Sequence, residues 1–208
     1  MRVRQHVNPL SQRFYQPLAL PDWGLIYAEV KQPLHIDIGC ARGRFLLTMA
    51  HQQTNWNLLG LEIREPLVHQ ANASKIKHNL VNIYFLMAQA NYHLSAILDS
   101  FPPGVLQRVS IQFPDPWFKR KQQKRRVVQP GLVATIAHYL QPGGEVFLQS
   151  DILEVALDMY HHFQQHHEFQ TQGEFLSENP LGIPTEREQS VLNRGLPVYR
   201  FLLRRLAD

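Results

Sequence analysis

The sequence of 208 residues holds a single cysteine, Cys40, so neither an internal disulfide nor a cysteine-rich zinc site can be built from it. That scarcity fits a reducing compartment, and a cytoplasmic protein is expected. No apolar run approaches the roughly 20 residues that a membrane span needs. After the early positive charges of Arg2 and Arg4, the N-terminal stretch turns to Asn8, Pro9 and Ser11, where a signal peptide would be continuously apolar. Neither membrane insertion nor export is expected. Internal repeats and low-complexity tracts are absent as well. His162 and His166 stand at helical ligand spacing, but no third ligand accompanies them and no metal is expected. What remains is an ordinary globular composition, 44% hydrophobic and 18% charged, in a chain long enough for one core and short for two.

The formal net charge of +4 is too mild to identify a partner by itself. Its distribution says more. Six cations, Lys119, Arg120, Lys121, Lys124, Arg125 and Arg126, crowd into eight positions directly after a Pro-Asp-Pro-Trp tetrapeptide, which puts positive charge beside one candidate site.

Apolar runs at Leu34–Ile38, Leu58–Ile63, Ile83–Met87, Val109–Phe113 and Glu145–Gln149 predict buried strands. Helical patterns at Arg42–His51, Glu65–Asn79, Tyr92–Leu98, Gln129–Leu140 and Ile152–His166 fill the gaps between and after them. Strand–helix alternation of this kind predicts an α/β domain with a mostly parallel sheet covered by helices on both faces. After residue 167 the alternation fades, and the segments Phe169–Leu176 and Val198–Leu206 predict a closing antiparallel hairpin. Residues 1–33, with Pro9, Pro17, Pro21 and Pro33, are expected to form an irregular basic arm, whose Arg2, Arg4, His6 and Arg13 could grip an anionic partner; residues 34–208 form the domain proper.

The first strand runs into Asp37-Ile38-Gly39-Cys40-Ala41-Arg42-Gly43, a strand-to-helix turn where glycine lets a ligand approach the backbone. A dinucleotide fingerprint would need glycines at 39, 41 and 44, and Ala41 and Arg44 occupy two of those positions. The second strand ends at Glu62, just over twenty residues beyond the turn, where a carboxylate can accept hydrogen bonds from ribose hydroxyls. The third is followed by Ala88-Gln89-Ala90-Asn91, in which Gln89 can both donate to and accept from a base, while a helix N-terminal role for Asn91 competes for the same stretch.

The fourth strand leads into Phe113-Pro114-Asp115-Pro116-Trp117-Phe118-Lys119-Arg120-Lys121 and then Lys124-Arg125-Arg126. With these residues the sequence resembles the tRNA (guanine-N7)-methyltransferase family, from Leu34 nearly to the end, through the Asp37 turn, Gly60-Leu61-Glu62-Ile63-Arg64, Asp151 and Thr185-Glu186-Arg187-Glu188. The resemblance implies a Rossmann-like class I methyltransferase fold and transfer of a methyl group from S-adenosylmethionine to N7 of a guanine in tRNA, in the variable loop. It implies cofactor binding by Asp37, Gly39, Glu62, Arg64 and Gln89, catalysis by Asp115, and substrate contacts by Lys119, Asp151, Thr185 and Glu188. No obligate protein partner is implied, and a homo-oligomer is compatible. The sequence departs from the family pattern at Gln89, where bacterial members often carry Asp, and after Glu188, where an expected arginine is missing and Arg187 or Arg194 stands nearby.

Guanine N7 has a lone pair and no proton, so a methyl acceptor of this kind needs positioning rather than a general base. Asp115, limited by two prolines, suits a carboxylate that favours the cationic base as it forms, and Trp117 or Phe118 could stack on a base. Lys119, Lys124, Arg125 and Arg126 would meet phosphates. Two other functions compete: methylation of a protein or small molecule, and RNA binding without catalysis on a degenerate fold.

Overall fold

The computed structural model describes residues 7–171 and 175–207. Arg2, Arg4 and His6 lie outside them. Seven strands form one sheet in the order β3-β2-β1-β4-β5-β7-β6. They are β1 Leu34–Ile38, β2 Asn57–Glu62, β3 Ile83–Met87, β4 Leu106–Gln112, β5 Glu145–Ser150, β6 Phe169–Thr171 and β7 Tyr199–Arg205. The first five pair in parallel, while β7 runs antiparallel to both β5 and β6, which gives the expected closing hairpin. β1 is paired on both sides and every residue in it is buried, as a strand covered on both faces requires.

The helices are α1 Trp23–Ile26, α2 Arg44–Gln52, α3 Glu65–Lys77, α4 Ala90–Asp99, α5 Pro130–Tyr139, α6 Leu153–Gln164 and α7 Glu186–Leu192. Residues of α2 and α3, including Leu46, Met49 and Ala71, form a core with Leu58, Ile83 and Phe85 of the sheet. The larger core gathers Leu94 and Ile97 of α4, Leu132 and Ile136 of α5, and Val155 and Phe163 of α6 against Ile36, Val109 and Leu148. Among the described residues no helix is long and apolar enough to cross a membrane.

Two differences from the expected elements have local causes. α2 starts at Arg44 rather than Arg42, because Ala41 (φ 50°) and Gly43 (φ 70°) hold the left-handed region and cannot belong to a right-handed helix. α7, a helix absent from the expected set, is nucleated by a capping box in which Thr185 Oγ1 accepts from Glu188 N–H and the Glu188 side chain accepts from Thr185 N–H.

The segment before β1 is irregular, with a 3-10 turn at Gln12–Phe14 and the short α1. It is nevertheless built into the domain. Trp23 and Tyr27 are buried in the larger core, Trp23 stacks on Phe101 at 4.3 Å, its Nε1–H donates to Ser100 Oγ, and Tyr27 OH donates to the Leu58 carbonyl. Truncating a buried aromatic of this kind costs about 3–5 kcal/mol. Trp23→Ala should therefore lose that much stability in urea unfolding, and a loss below about 1 kcal/mol would return the segment to a loosely attached arm.

Candidate functional site

Strand order reverses between β1 and β4, and in open α/β sheets the crevice outside the carboxyl ends of the strands at such a point is where ligands bind. A cleft of about 330 Å³ opens there. Its walls come from four strand ends: Gly39 after β1, Glu62 to Arg64 at β2, Ala88 and Gln89 after β3, and Gln112 to Asp115 at β4. Val7, Pro9, Leu10 and Tyr15 close it from the N-terminal side, and Lys124, Arg125 and Val127 from the basic segment. The N-terminal contribution was invisible to sequence reasoning, since nothing in those letters marks a cleft wall. A signal for its attachment existed in His93, whose Nδ1 accepts from Gln89 N–H while Nε2 meets the Gln16 carbonyl at 2.9 Å, but that bridge spans 77 residues.

The two glycines of the first turn serve different purposes. At Gly39 (φ 85°) a Cβ would have no atom within 4 Å, so the backbone lies bare to the cleft. At Gly43 (φ 70°) a Cβ would stand 2.2 Å from the Phe85 ring, and packing alone excludes any side chain. Between them Ala41 adopts a left-handed conformation without being glycine, and its N–H donates to Glu62 Oε2 at 3.0 Å.

Glu62 is 3% exposed and its carboxylate is fully engaged. Besides Ala41 it accepts from Arg64 N–H, from Arg64 Nε at 2.9 Å and from Arg64 Nη2 at 2.9 Å. Four accepted bonds fill the roughly four lone-pair sites of a carboxylate. Those bonds chiefly keep the Arg64 guanidinium charged, with an added attraction from Asp115. Gln89 caps α4, its Oε1 accepting from Tyr92 N–H, whereas Asn91 donates to the Val127 carbonyl. The helix N-terminal role expected of Asn91 thus falls to Gln89, which also lines the cleft.

Asp37 is 4% exposed, and its Oδ1 accepts from Ser110 Oγ at 2.6 Å and Gln112 Nε2 at 3.2 Å. Ser110 and Gln112 are two residues apart on β4 and share a face, and Ser110 is in register with Asp37. Sequence reasoning missed both, although alternation along an apolar strand was the available signal. From Gln112 the polar contacts continue: Gln149 Nε2 donates to Gln112 Oε1 at 2.7 Å and to Glu188 Oε2 at 3.2 Å.

Asp115 sits half-buried in the cleft wall on an unusual turn, with Phe113 (φ 49°) before its prolines and Trp117 (φ 41°) after them, both in the left-handed region. Strain of this kind persists only where surrounding structure over-determines it. Arg125 lies over the Trp117 ring at 5.0 Å, so Phe118, 64% exposed, is the aromatic that offers an open face. Lys119, Arg120, Lys121 and Lys124 are exposed around the 3-10 turn Arg120–Arg125.

The remaining residues expected to contact substrate are placed otherwise. Arg126 is buried, with its guanidinium on the Pro116 carbonyl, Glu154 and Asp158. Glu188 is 1% exposed, pairs with Arg200 at 2.8 Å and also accepts from Asn179. Thr185 caps α7. Arg126 and Glu188 thus have internal partners, while Thr185 is partly exposed at the start of α7. Asp151 pairs with Arg187 at 2.5 Å near the surface, while Arg194, just past α7, donates from Nε to the Ser190 carbonyl of that helix. Of the two arginines considered for this region, Arg187 is the one joined to a site residue.

Burial lifts the Asp37 carboxyl to about 6, against the lowering effect of its bonds from Ser110 and Gln112. A folded-state value above the unfolded one means that its contribution to stability is present below the unfolded value and is lost as pH rises through about 6. Asp37→Asn should therefore gain stability relative to the parent between pH 4 and 7 and hold that gain above it; a pH-independent difference in urea midpoints would show that Asp37 titrates normally. Glu188→Ala leaves Arg200 buried without its partner and should cost about 3–5 kcal/mol in the same assay. Parent-like stability with impaired tRNA turnover would instead support a direct substrate role.

Comparison with known proteins agrees with this geometry. A family described as "Putative methyltransferase" matches residues 31–201. The tRNA (guanine-N(7)-)-methyltransferase of Synechococcus elongatus is 59% identical over 210 residues, covering 100% of this chain and 99% of the relative. The protein of that name from Trichormus variabilis is 54% identical, covering 100% and 97%. Among solved structures, the aminoglycoside resistance methyltransferase NpmB1 superimposes with a TM-score of 0.56 at 17% identity, over 87% of this chain and 89% of its own, which shows a shared class I methyltransferase fold. Identity of this extent along the whole length means that the chain belongs to the tRNA (guanine-N7)-methyltransferase family.

Proposed function

We propose that the protein transfers a methyl group from S-adenosylmethionine to N7 of a guanine in the variable loop of tRNA. The observation that carries this reading is the convergence on one cleft of the bare Gly39 turn, the buried Glu62 and the strained Asp115 turn, with an exposed basic loop at its rim. Full-length relatives that bear the activity in their names support it.

The residues fit such a cofactor. Gly39 leaves open space, Leu61, Ile63 and Ala88 offer an apolar wall, and Glu62 and Gln89 present polar atoms. Bound there, S-adenosylmethionine supplies a methyl group made electrophilic by its sulfonium. Asp37 stands behind the turn and fixes it through β4 rather than reaching the ligand itself. Glu62 is the ribose acceptor, and because Arg64 fills its acceptor sites, a ribose has to replace at least one Arg64 bond. Gln89 keeps its amide N–H groups for the adenine while its carbonyl caps α4.

Lys119, Lys124 and Arg125 take tRNA phosphates, and Asp151, freed from Arg187, accepts from the guanine or its ribose. Thr185 and Glu188 act one step removed, by holding α7 and Arg187 in place. Since N7 carries no proton, no residue has to remove one. Asp115 serves by charge: its carboxylate favours the positive charge that grows on the base, and its rigid turn means that little reorganisation accompanies the step.

The defining experiment is mass spectrometry of tRNA nucleosides after incubation with enzyme and cofactor, in which 7-methylguanosine should appear. Products confined to another base, or to protein, would reject the reading. Asp115→Asn keeps the shape and removes the charge, so turnover at saturating tRNA and cofactor should fall by roughly 10²–10³. The parent rate should stay flat as pH rises from neutral. Near-normal turnover by the variant would leave Asp115 without an electrostatic role.

A further inference from the structure

Of the six cations between Lys119 and Arg126, the last has a different setting. Arg126 is 5% exposed, whereas Lys119, Arg120, Lys121 and Lys124 are exposed and Arg125 is partly so. Its Nη2 reaches Glu154 at 2.5 Å and its Nη1 reaches Asp158 at 3.2 Å, both on α6, and its Nε–H donates to the Pro116 carbonyl at 2.9 Å. One cation between two carboxylates leaves a local charge of −1. A phosphate approaching Arg126 would have to strip a buried guanidinium of the partners that make its burial tolerable.

The carbonyl that Arg126 holds belongs to the turn bearing Asp115. Pro116 has no N–H, so this carbonyl is the only backbone hydrogen-bonding group the residue offers. The incoming limb of the turn is fixed by Phe113 N–H donating to the Gln149 carbonyl of β5. The outgoing limb leads to Trp117 in its left-handed conformation, and Arg126 ties it to α6. Arg126 also roots the basic loop: its N–H donates to the Gln123 carbonyl and its own carbonyl accepts from Gln129 Nε2.

We propose that Arg126 is a positioning residue for Asp115, clamping the Pro116 carbonyl against Glu154 and Asp158, and that it makes no contact with RNA. This rests on the reading of Asp115 given above. Displacement of a reacting group by about an ångström can cost on the order of 10²-fold in rate. Arg126→Gln should accordingly lose 10- to 100-fold in kcat at saturating tRNA and cofactor, with the cofactor KM unchanged. The salt dependence of its tRNA binding should match the parent, whereas Lys124→Ala should lower the slope by roughly 0.7–0.9 log unit, the value of one phosphate contact. A slope lowered by that amount in Arg126→Gln, with kcat at saturation intact, would overturn the proposal and return Arg126 to the phosphate-binding set.

Should Arg126→Gln fail to fold, Asp158→Asn, which loosens the clamp and keeps the arginine, carries the test: kcat should fall several-fold at an unchanged slope, and an unchanged kcat counts against the clamp. If the parent forms no 7-methylguanosine, the functional reading itself has failed. The tRNA-binding slope of Arg126→Gln still decides then whether this arginine touches phosphate.

Discussion

A buried line of hydrogen bonds under the cleft, from Asp37 through Gln112 and Gln149 to Glu188 and Arg200, constrains almost everything above it. It runs across β1, β4 and β5, passes through α7 and ends on β7, so the strand before the Gly39 turn, the strand that feeds the Asp115 turn and the C-terminal helix share one set of polar partners. In a low-dielectric interior such groups cannot be left unpaired without a cost of about 1–3 kcal/mol each. The register of these strands is therefore fixed by more than apolar packing. A slip of one residue would send Gln112 and Gln149 to the opposite face and orphan Asp37 and Glu188 together.

Above that line the backbone is strained at three non-glycine positions, Ala41, Phe113 and Trp117, and all three lie at the carboxyl ends of β1 and β4 beside the cleft. A left-handed conformation costs an L-residue about 1–2 kcal/mol, so each needs something to hold it. Ala41 has its N–H on Glu62, Phe113 its N–H on the Gln149 carbonyl, and the Trp117 ring carries Arg125. Glu62, which lines the cleft, is therefore also the acceptor that stabilises the turn. Asp37 and Glu62 lie close enough for the negative charge of Glu62 to add to the burial that raises the Asp37 carboxyl. Arg64, paired with Glu62, offsets that concentration of charge.

Where the fold depends on residues close in sequence, the letters are readable. The bounds of β1 and β3 follow from apolar runs, and Glu62 follows from an acid at a strand end at the right distance from a glycine turn. Asp115 could be singled out because two prolines and a basic run flank it. The same reasoning reached its limit where a partner is distant. Gln149 meets Glu188 across 39 residues, and no local pattern encodes that pairing. Thr185-Glu186-Arg187-Glu188 carried two compatible messages, a capping box and a family motif, and only packing shows that the carboxylate of Glu188 is spent inside the protein. α7 has seven residues, too few for a helical period to stand out from a connector.

Lys124, Arg125 and Arg126 make the point most sharply, because three adjacent cations carry one sequence signal and three environments. Lys124 is exposed and free to meet counterions or phosphate; Arg125 is partly buried over an aromatic ring; Arg126 is enclosed by acids that enter the chain 28 and 32 positions later. Lysine could not replace the last, since a point charge cannot bond a carbonyl through one nitrogen while two others reach separate carboxylates. Exposed cations act at long range through their summed field, which tolerates sloppy geometry. The enclosed one acts through short, directed bonds on the turn where geometry matters. The basic cluster beside Asp115 is thus two devices, and the boundary between them falls where α6 supplies its acids.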